Sequence, residues 1–149
     1  MAADRLISDD FPLPAMRRLR VYAFDPQASI ELDSAVINDA VIALPWESRW
    51  EDPLELGPVN DYLEVIDYDP GCGIFYAPVD LNHPVLLAQD GLPPSEGRPQ
   101  FHQQMVFAVA MRTIRTFERA LGRPVLWAGS DREGAPDRNF TKRLRIYPH

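Results

Sequence analysis

The sequence has few residues of the kinds that cross-link a chain or bind transition metals. Its 149 residues include one cysteine, Cys72, and three histidines. A single thiol excludes an internal disulfide and a zinc site built from several cysteines. His83, His102 and His149 are never three or four residues apart, so no helix can present a histidine pair to zinc, and His-Glu-x-x-His is absent. The sequence therefore predicts no metal-binding residue in this chain.

Long apolar runs and an excess of basic residues are also missing. No stretch approaches the roughly 20 apolar residues that a membrane-spanning helix needs, and the first residues contain no apolar core of a signal peptide. The net charge of −7 is unfavourable for binding nucleic acid or an anionic membrane. An unpaired thiol suits a reducing compartment. We therefore expect a cytoplasmic protein that binds neither nucleic acid nor membrane.

Recognised catalytic motifs are absent as well. Neither G-x-S-x-G nor G-x-x-x-x-G-K-[ST] occurs, and "DPGCGIF" lacks the third glycine and the following helix of a dinucleotide site. A small enzyme built on Cys72, or on the carboxylates of Asp67 and Asp69, would need a pocket that joins them to a base. We favour a structural thiol and a solvated acidic face. No catalytic and no cofactor-binding residue is predicted.

What the sequence does contain predicts one α+β domain. The hydrophobic fraction of 46% allows a core, and 15 prolines against 8 glycines indicate many extended segments and turns. We expect an antiparallel or mixed β-sheet that packs on one long central helix of about residues 98–121. Residues 1–16 are predicted to form a flexible N-terminal arm, and residues 17–149 a single domain.

Alternation of apolar and polar residues predicts the strands. They are "RRLRVYAFDP", "DAVIALPW", a hairpin over residues 61–79, "PVLWAG" and "FTKRLRIYPH", with one short helical turn around residues 86–89. The segment "SDREGAPDRN" is predicted to be a polar turn.

The long helix is predicted from "FHQQMVFAVAMRTIRTFERALGR". Pro99 suits its first turn and Gly122 its end. Because His102 has no second ligand one turn away, we interpret it as a structural residue at the helix start. Apolar residues at helical spacing predict the face that packs on the sheet: Met105, Val109, Phe117 and Leu121. Four further apolar residues widen this face: Phe107, Ala110, Met111 and Ile114. The solvent-facing side is predicted to carry Arg112, Arg115, Glu118 and Arg119, with local ion pairs around Arg115.

Aromatic residues of the middle third offer one candidate interaction surface. Large aromatic side chains are the commonest anchors of protein interfaces. One hypothesis is therefore a self-sufficient, β-rich peptide- or protein-binding module whose surface is formed by Trp46, Trp50, Tyr62, Tyr68 and Phe75.

The order of segments suggests another hypothesis. "VYAFDP", further strands, the long helix and a strand ending "RLRIYPH" together resemble the N-terminal, β-rich part of bacterial thermolysin-like, or gluzincin, metallopeptidases over residues 18–149. The resemblance implies a non-catalytic scaffold for a substrate cleft that a C-terminal part completes. Zinc is then expected only in that C-terminal part, and no peptidase activity is expected of this chain alone. The expected partner is the C-terminal catalytic part, or a second copy bound through an open strand edge.

Overall fold

The computed structural model describes residues 14–31, 37–128 and 142–148. Its class is α+β, as predicted, with one long helix packed against strands. The elements in chain order are β1 (Met16–Val21), α1 (Pro26–Glu31), β2 (Ala40–Pro45), β3 (Leu63–Val65), β4 (Tyr68–Asp69), β5 (Ile74–Phe75), α2 (Pro84–Ala88), α3 (Pro99–Leu121) and β6 (Leu144–Ile146).

The first two predicted strands are confirmed as an antiparallel pair. Met16 lies opposite Pro45, and Val21 lies opposite Ala40. Because side chains alternate along a strand, Leu19 and Val21 enter the core together with Arg17. The strand ends at Val21, before the predicted Asp25, and Pro26 begins α1 with the fixed φ that suits a first helical turn.

The predicted hairpin over residues 61–79 is present only in its central part. Tyr68 and Asp69 pair with Phe75 and Ile74, whereas β3 pairs in parallel with β6. The amide of Tyr68 bonds to the carbonyl of Ile66, so the chain turns before β4 begins. The described strands therefore form three two-stranded sheets: β1–β2, β3–β6 and β4–β5.

Helix α3 has nearly the predicted bounds. Pro99 occupies its first turn, and the N-cap residue before it, Arg98, makes no side-chain cap hydrogen bond. The helix ends at Gly122, whose φ of +66° is the left-handed conformation that glycine adopts without strain. Its amide donates to the carbonyl of Glu118 at 2.8 Å.

The buried face of α3 differs from the predicted one. Val109, Phe117 and Leu121 are exposed, although they were predicted to pack on the sheet, whereas Met105 is half-buried against the core, as predicted. The helix is apolar around most of its circumference, so spacing alone did not identify the inner face. The fully buried residues of the helix are Phe101, Gln103, Gln104, Phe107, Ala108, Met111 and Ile114.

Two fully buried glutamines attach the loops to α3. The Oε1 atom of Gln103 accepts from the amide of Val79 at 2.8 Å, and its Nε2 donates to Asp67 at 2.7 Å. Gln104 accepts from the amide of Leu92 at 2.7 Å and donates to the carbonyls of Arg20 and Leu92. Buried polar groups of this kind stabilise a fold only when they are fully paired. Here backbone amides and carbonyls supply partners for both side-chain amides.

The remaining predicted elements are shorter than expected, absent, or outside the described residues. Residues 124–128 of "PVLWAG" form no strand. The last strand is confined to Leu144–Ile146, and the short helix near residue 86 is α2. Of the predicted arm over residues 1–16, residues 1–13 lie outside the described residues, and Met16 already belongs to β1. The predicted turn "SDREGAPDRN" also lies outside the described residues. Among the helices of the described part, none is long and apolar enough to cross a bilayer.

Candidate functional site

A groove of about 510 Å³ lies where the chain leaves α3 and meets β3 and β6. Its walls are mostly apolar, with one carboxylate and one ammonium group at the edge. The residues that line it are Asp61, Tyr62, Pro124, Val125, Leu126, Trp127 and Lys142. A largely apolar concavity with a few polar groups is the usual form of a binding site.

Hydrogen bonds fix the chain that forms this groove. After Gly122 stops the helix, the amide of Val125 donates to the carboxylate of Glu118 at 3.1 Å. The indole Nε1 of Trp127 then donates to the carbonyl of Tyr62 at 2.8 Å, directly before β3. These two bonds hold residues 125–127 beside β3, and Trp127 also forms a single β-bridge. Between them, Leu126 remains 70% exposed and forms part of the open apolar wall.

An ion-pair cluster around Arg115 supports the groove. Its guanidinium binds Glu51 and Glu118 and donates to the hydroxyl of Tyr62 at 3.2 Å. Burial alone would lower the pKa of Arg115, but the bonds to the two carboxylates outweigh it and raise the pKa. Burial, together with the neighbouring Glu118, raises the pKa of Tyr62 to about 12. Tyr62 therefore presents a neutral hydroxyl at neutral pH.

A second, smaller cavity lies on the other side of Tyr62. Its volume of about 20 Å³ leaves room for roughly one water molecule. Arg17 lies in its wall and donates to the carbonyl of Leu81 at 2.7 Å and to Glu47 at 3.1 Å, and burial lowers its pKa. The arginine also covers the ring of Trp46 at 4.1 Å. These contacts hold Arg17 in place within the wall of this cavity.

The structure separates the five aromatic residues of the predicted interaction surface. Tyr68 and Phe75 pair across the β4–β5 hairpin, with ring centroids 4.7 Å apart. Trp46 and Tyr62 each contact a different arginine, Arg17 and Arg115 respectively. Trp50 is 94% exposed. Of the five, Tyr62 lines the groove.

The residues weighed for an enzyme lie in or beside the β4–β5 turn. Asp69 accepts from the amides of Gly71 and Cys72, and these bonds hold its pKa below the ordinary value. Hydrogen bonding to the same carboxylate raises the pKa of the exposed Cys72 thiol, which is the opposite of what a nucleophile needs. Asp67 is buried and binds Gln103.

The described histidines are separated and have local contacts. His83 caps α2 by accepting from the amide of Val85 at 3.3 Å. His102 is half-buried at the start of α3, with its ring against Phe101, and His149 lies outside the described residues. No group of three His, Cys, Asp or Glu side chains in the described part could hold a metal ion.

Sequence reasoning missed the polar residues that organise this region. Arg17 belongs to an alternating strand and was not separated from the exposed Arg18 and the half-buried Arg20. Gln103 and Gln104 were given no role. Their one signal is position, because two consecutive glutamines within an apolar helix must either face solvent or find buried partners. The groove had no signal, since its wall was predicted to be a strand.

Comparison with known proteins gives no relative. No family model matches the chain, and neither a curated protein nor a solved structure matches it. The resemblance to gluzincin metallopeptidases therefore stays a prediction.

Proposed function

We propose that this chain is a non-catalytic scaffold that supplies one wall of a substrate cleft. A further polypeptide part, of the gluzincin metallopeptidase kind, would complete the cleft and carry the zinc site. The observation that carries this proposal is the open, apolar groove beside β6. In this proposal the chemistry of peptide cleavage belongs entirely to the completing part.

The dimensions and lining of the groove support a peptide ligand. Its volume lies within the roughly 300–1,000 Å³ of small-ligand sites. Leu126, Val125 and Trp127 would contact apolar side chains, while Lys142 and Asp61 would orient the charged or polar ends of a substrate.

The neighbouring strand supports the same proposal. In the described part, β6 pairs with β3 and with no other strand. In this proposal, an extended peptide or a strand of the completing part adds along the edge of β6 that no described strand covers. An acidic, single-cysteine protein of this kind would work in the cytoplasm, where thiols remain reduced.

The reading frame that contains this chain, together with the frames beside it, provides the first test. We expect one of them to encode His-Glu-x-x-His. The purified chain should contain no stoichiometric zinc and should not digest casein, whereas joining it to the encoded part should produce zinc-dependent digestion. Zinc bound stoichiometrically by this chain alone, with proteolysis, would contradict the proposal, and so would the absence of any such reading frame.

The groove itself is tested by substitution. Leu126→Asp places a charge in the exposed apolar wall and should raise the KM for casein in the joined protein, with little change in folding. Leu56→Asp is the matched control, because Leu56 is also exposed and does not line the groove. Equal effects of the two substitutions would count against the groove as part of the cleft.

A self-sufficient binding module is the second candidate, and the exposure of Trp50 and Phe75 favours it. It requires that the chain alone binds peptides. A peptide array probed with the chain and with Trp50→Ala/Phe75→Ala separates the two functions. Selective peptide binding that is lost in this variant and retained in Leu126→Asp would favour the binding-module function over the scaffold function.

A further inference from the structure

The outward face of α3 is an apolar surface with no described partner. Phe117 is 57% exposed and Leu121 is 54% exposed, and Val109, two turns before Phe117, is also exposed. The large apolar residues Phe107 and Met111, by contrast, are buried on the inner face of the same helix. Large apolar side chains that cluster on one exposed helix face are typical of a surface that binds protein.

Threonine hydroxyls do not interrupt this surface. Thr113 Oγ1 donates to the carbonyl of Val109 at 2.9 Å, and Thr116 Oγ1 donates to the carbonyl of Arg112 at 2.8 Å. Since both hydroxyls already have partners in the helix, their methyl groups remain for contact with another molecule. We define the α3 outer face as Val109, Thr113, Thr116, Phe117, Ala120 and Leu121. It is about 18 Å long at 1.5 Å per residue.

The charge beside the α3 outer face is of one sign. Arg112 and Arg119 are seven residues, or about two helical turns, apart and therefore lie along the same flank of the α3 outer face. Phe117 and Leu121 lie along the opposite flank. Both are exposed and form no ion pair within the described residues. The acidic residue of this half of the helix, Glu118, is paired with Arg115. A basic flank on a protein of net charge −7 is suited to a partner that brings carboxylates.

A second copy of this chain does not meet that requirement. Antiparallel pairing of two α3 helices would place Arg112 and Arg119 of one copy near the same residues of the other, and like charges at a helix contact are unfavourable. The other described helices have six and five residues and are too short to cover the face.

An anionic membrane also fits the face poorly. Two large apolar side chains, Phe117 and Leu121, are few for insertion between lipids, and the protein as a whole is acidic. The central row of Val109, Thr113, Thr116 and Ala120 is instead flat enough for another helix to approach closely, since helices pack at interaxial distances of about 8–10 Å.

We propose that the α3 outer face binds an amphipathic helix from another polypeptide, with an apolar stripe and a flank of Asp and Glu residues. The apolar stripe covers Phe117 and Leu121, and the carboxylates reach Arg112 and Arg119. None of these residues lines the groove. The inference therefore goes beyond the scaffold function, and either proposal stands if the other fails.

The probe is a synthetic helical peptide of about 20 residues with a Leu/Ala stripe and glutamates on the flanks. Its control has lysine at every glutamate position. Fluorescence anisotropy should show that the acidic peptide binds and that the basic one does not. Raising the salt from about 0.05 M to about 0.5 M should weaken binding roughly tenfold, because the charged flank lies at the rim of the contact.

Two variants of the protein locate the binding. Arg112→Glu/Arg119→Glu should reverse the preference toward the basic peptide, and Phe117→Ser/Leu121→Ser should abolish binding of both. Arg49→Glu/Arg98→Glu is the matched control, since it makes the same change in net charge at exposed residues away from the face. Unchanged circular dichroism and melting temperature establish that each variant is folded.

Four results would overturn the inference. They are equal binding of the two peptides, no binding of the acidic peptide at about 1 mM, unchanged preference in the charge-reversed variant, and an equal loss in the control variant. Binding to phosphatidylserine vesicles that Arg112→Glu/Arg119→Glu removes, without binding of the acidic peptide, would assign the face to a membrane surface instead.

Discussion

The two halves of α3 differ both in charge and in what covers them, since Arg112, Arg115, Glu118 and Arg119 all lie in the second half. In the first half, Phe101, Gln103 and Gln104 are fully enclosed by β1 and by the loops around Val79 and Leu92. In the second half, only one side meets the core, and Phe117 and Leu121 face outward. An apolar helix thus combines a structural anchor with a surface that remains available for another molecule, and the predictions below test that division.

The largest expected effect comes from paired phenylalanine truncations. Phe107→Ala should lower the free energy of unfolding by about 3–5 kcal/mol, because it leaves a cavity in the core. Phe117→Ala on the outer face should lower it by less than about 1 kcal/mol. Urea denaturation measures both, and similar losses at the two positions would mean that the outer face is covered in solution.

Loss of a buried glutamine should be nearly as costly. Gln104→Ala removes the partners of the Leu92 amide and of the Arg20 and Leu92 carbonyls, which should cost about 3 kcal/mol. Gln100→Ala is the control, because Gln100 makes a single, exposed bond to the carbonyl of Ala77. A loss below about 1 kcal/mol for Gln104→Ala would show that water replaces these bonds.

Close packing of a loop against Gln104 predicts a smaller effect. Gly91 has φ +89°, and an added Cβ would lie 2.5 Å from Oε1 of Gln104. Gly91→Ala should therefore destabilise the protein by about 2 kcal/mol. Gly97→Ala, where a Cβ meets nothing within 4 Å, should change stability by less than about 0.5 kcal/mol. Equal melting temperatures for the two variants would show that the loop moves away from α3.

The smallest effect concerns the ion-pair cluster under the groove. Burial favours the neutral acid at Glu51, but the bonds from the Ser48 amide and from Arg115 outweigh it and hold the pKa of Glu51 below its ordinary value of 4.5. A depressed folded pKa contributes stability above the unfolded pKa, and this contribution is lost as the pH falls through the folded pKa.

Glu51→Gln should accordingly be less stable than the unmodified protein near pH 7, with a difference that shrinks as the pH falls below about 4.5. Thermal denaturation across the acid range measures this. Glu55→Gln is a suitable control, since the exposed Glu55 side chain forms no ion pair in the described part. A difference that does not change with pH would show that Glu51 acts through packing and not through its charge.

Local pattern predicted the elements of this fold better than their partners. Alternation identified β1 and β2, and Pro99 with Gly122 gave the ends of α3, because these features depend on neighbouring residues. The parallel pairing of β3 with β6 depends on residues about 80 positions apart and left no local signal.

The candidate site was less predictable still. Its wall over residues 125–127 is held by a glutamate and an indole that bond to backbone atoms, not by a strand ladder. The open face of α3 was assigned to the core because helical spacing shows that a stripe exists and not which of two apolar stripes is buried. Arg17 and the paired glutamines are buried because specific carbonyls and carboxylates meet them, and only tertiary structure shows that.

Thiol accessibility at the groove tests the scaffold proposal most directly. Leu126→Cys in a Cys72→Ser background places one reactive thiol on the exposed wall, while Cys72 in the unmodified chain serves as the reference on the β4–β5 turn. Maleimide labelling of the Leu126→Cys thiol should be fast in the chain alone and slow once the part carrying His-Glu-x-x-His is joined to it, with labelling of Cys72 unchanged. Equally fast labelling of the Leu126→Cys thiol in the chain alone and in the joined protein would contradict the proposal.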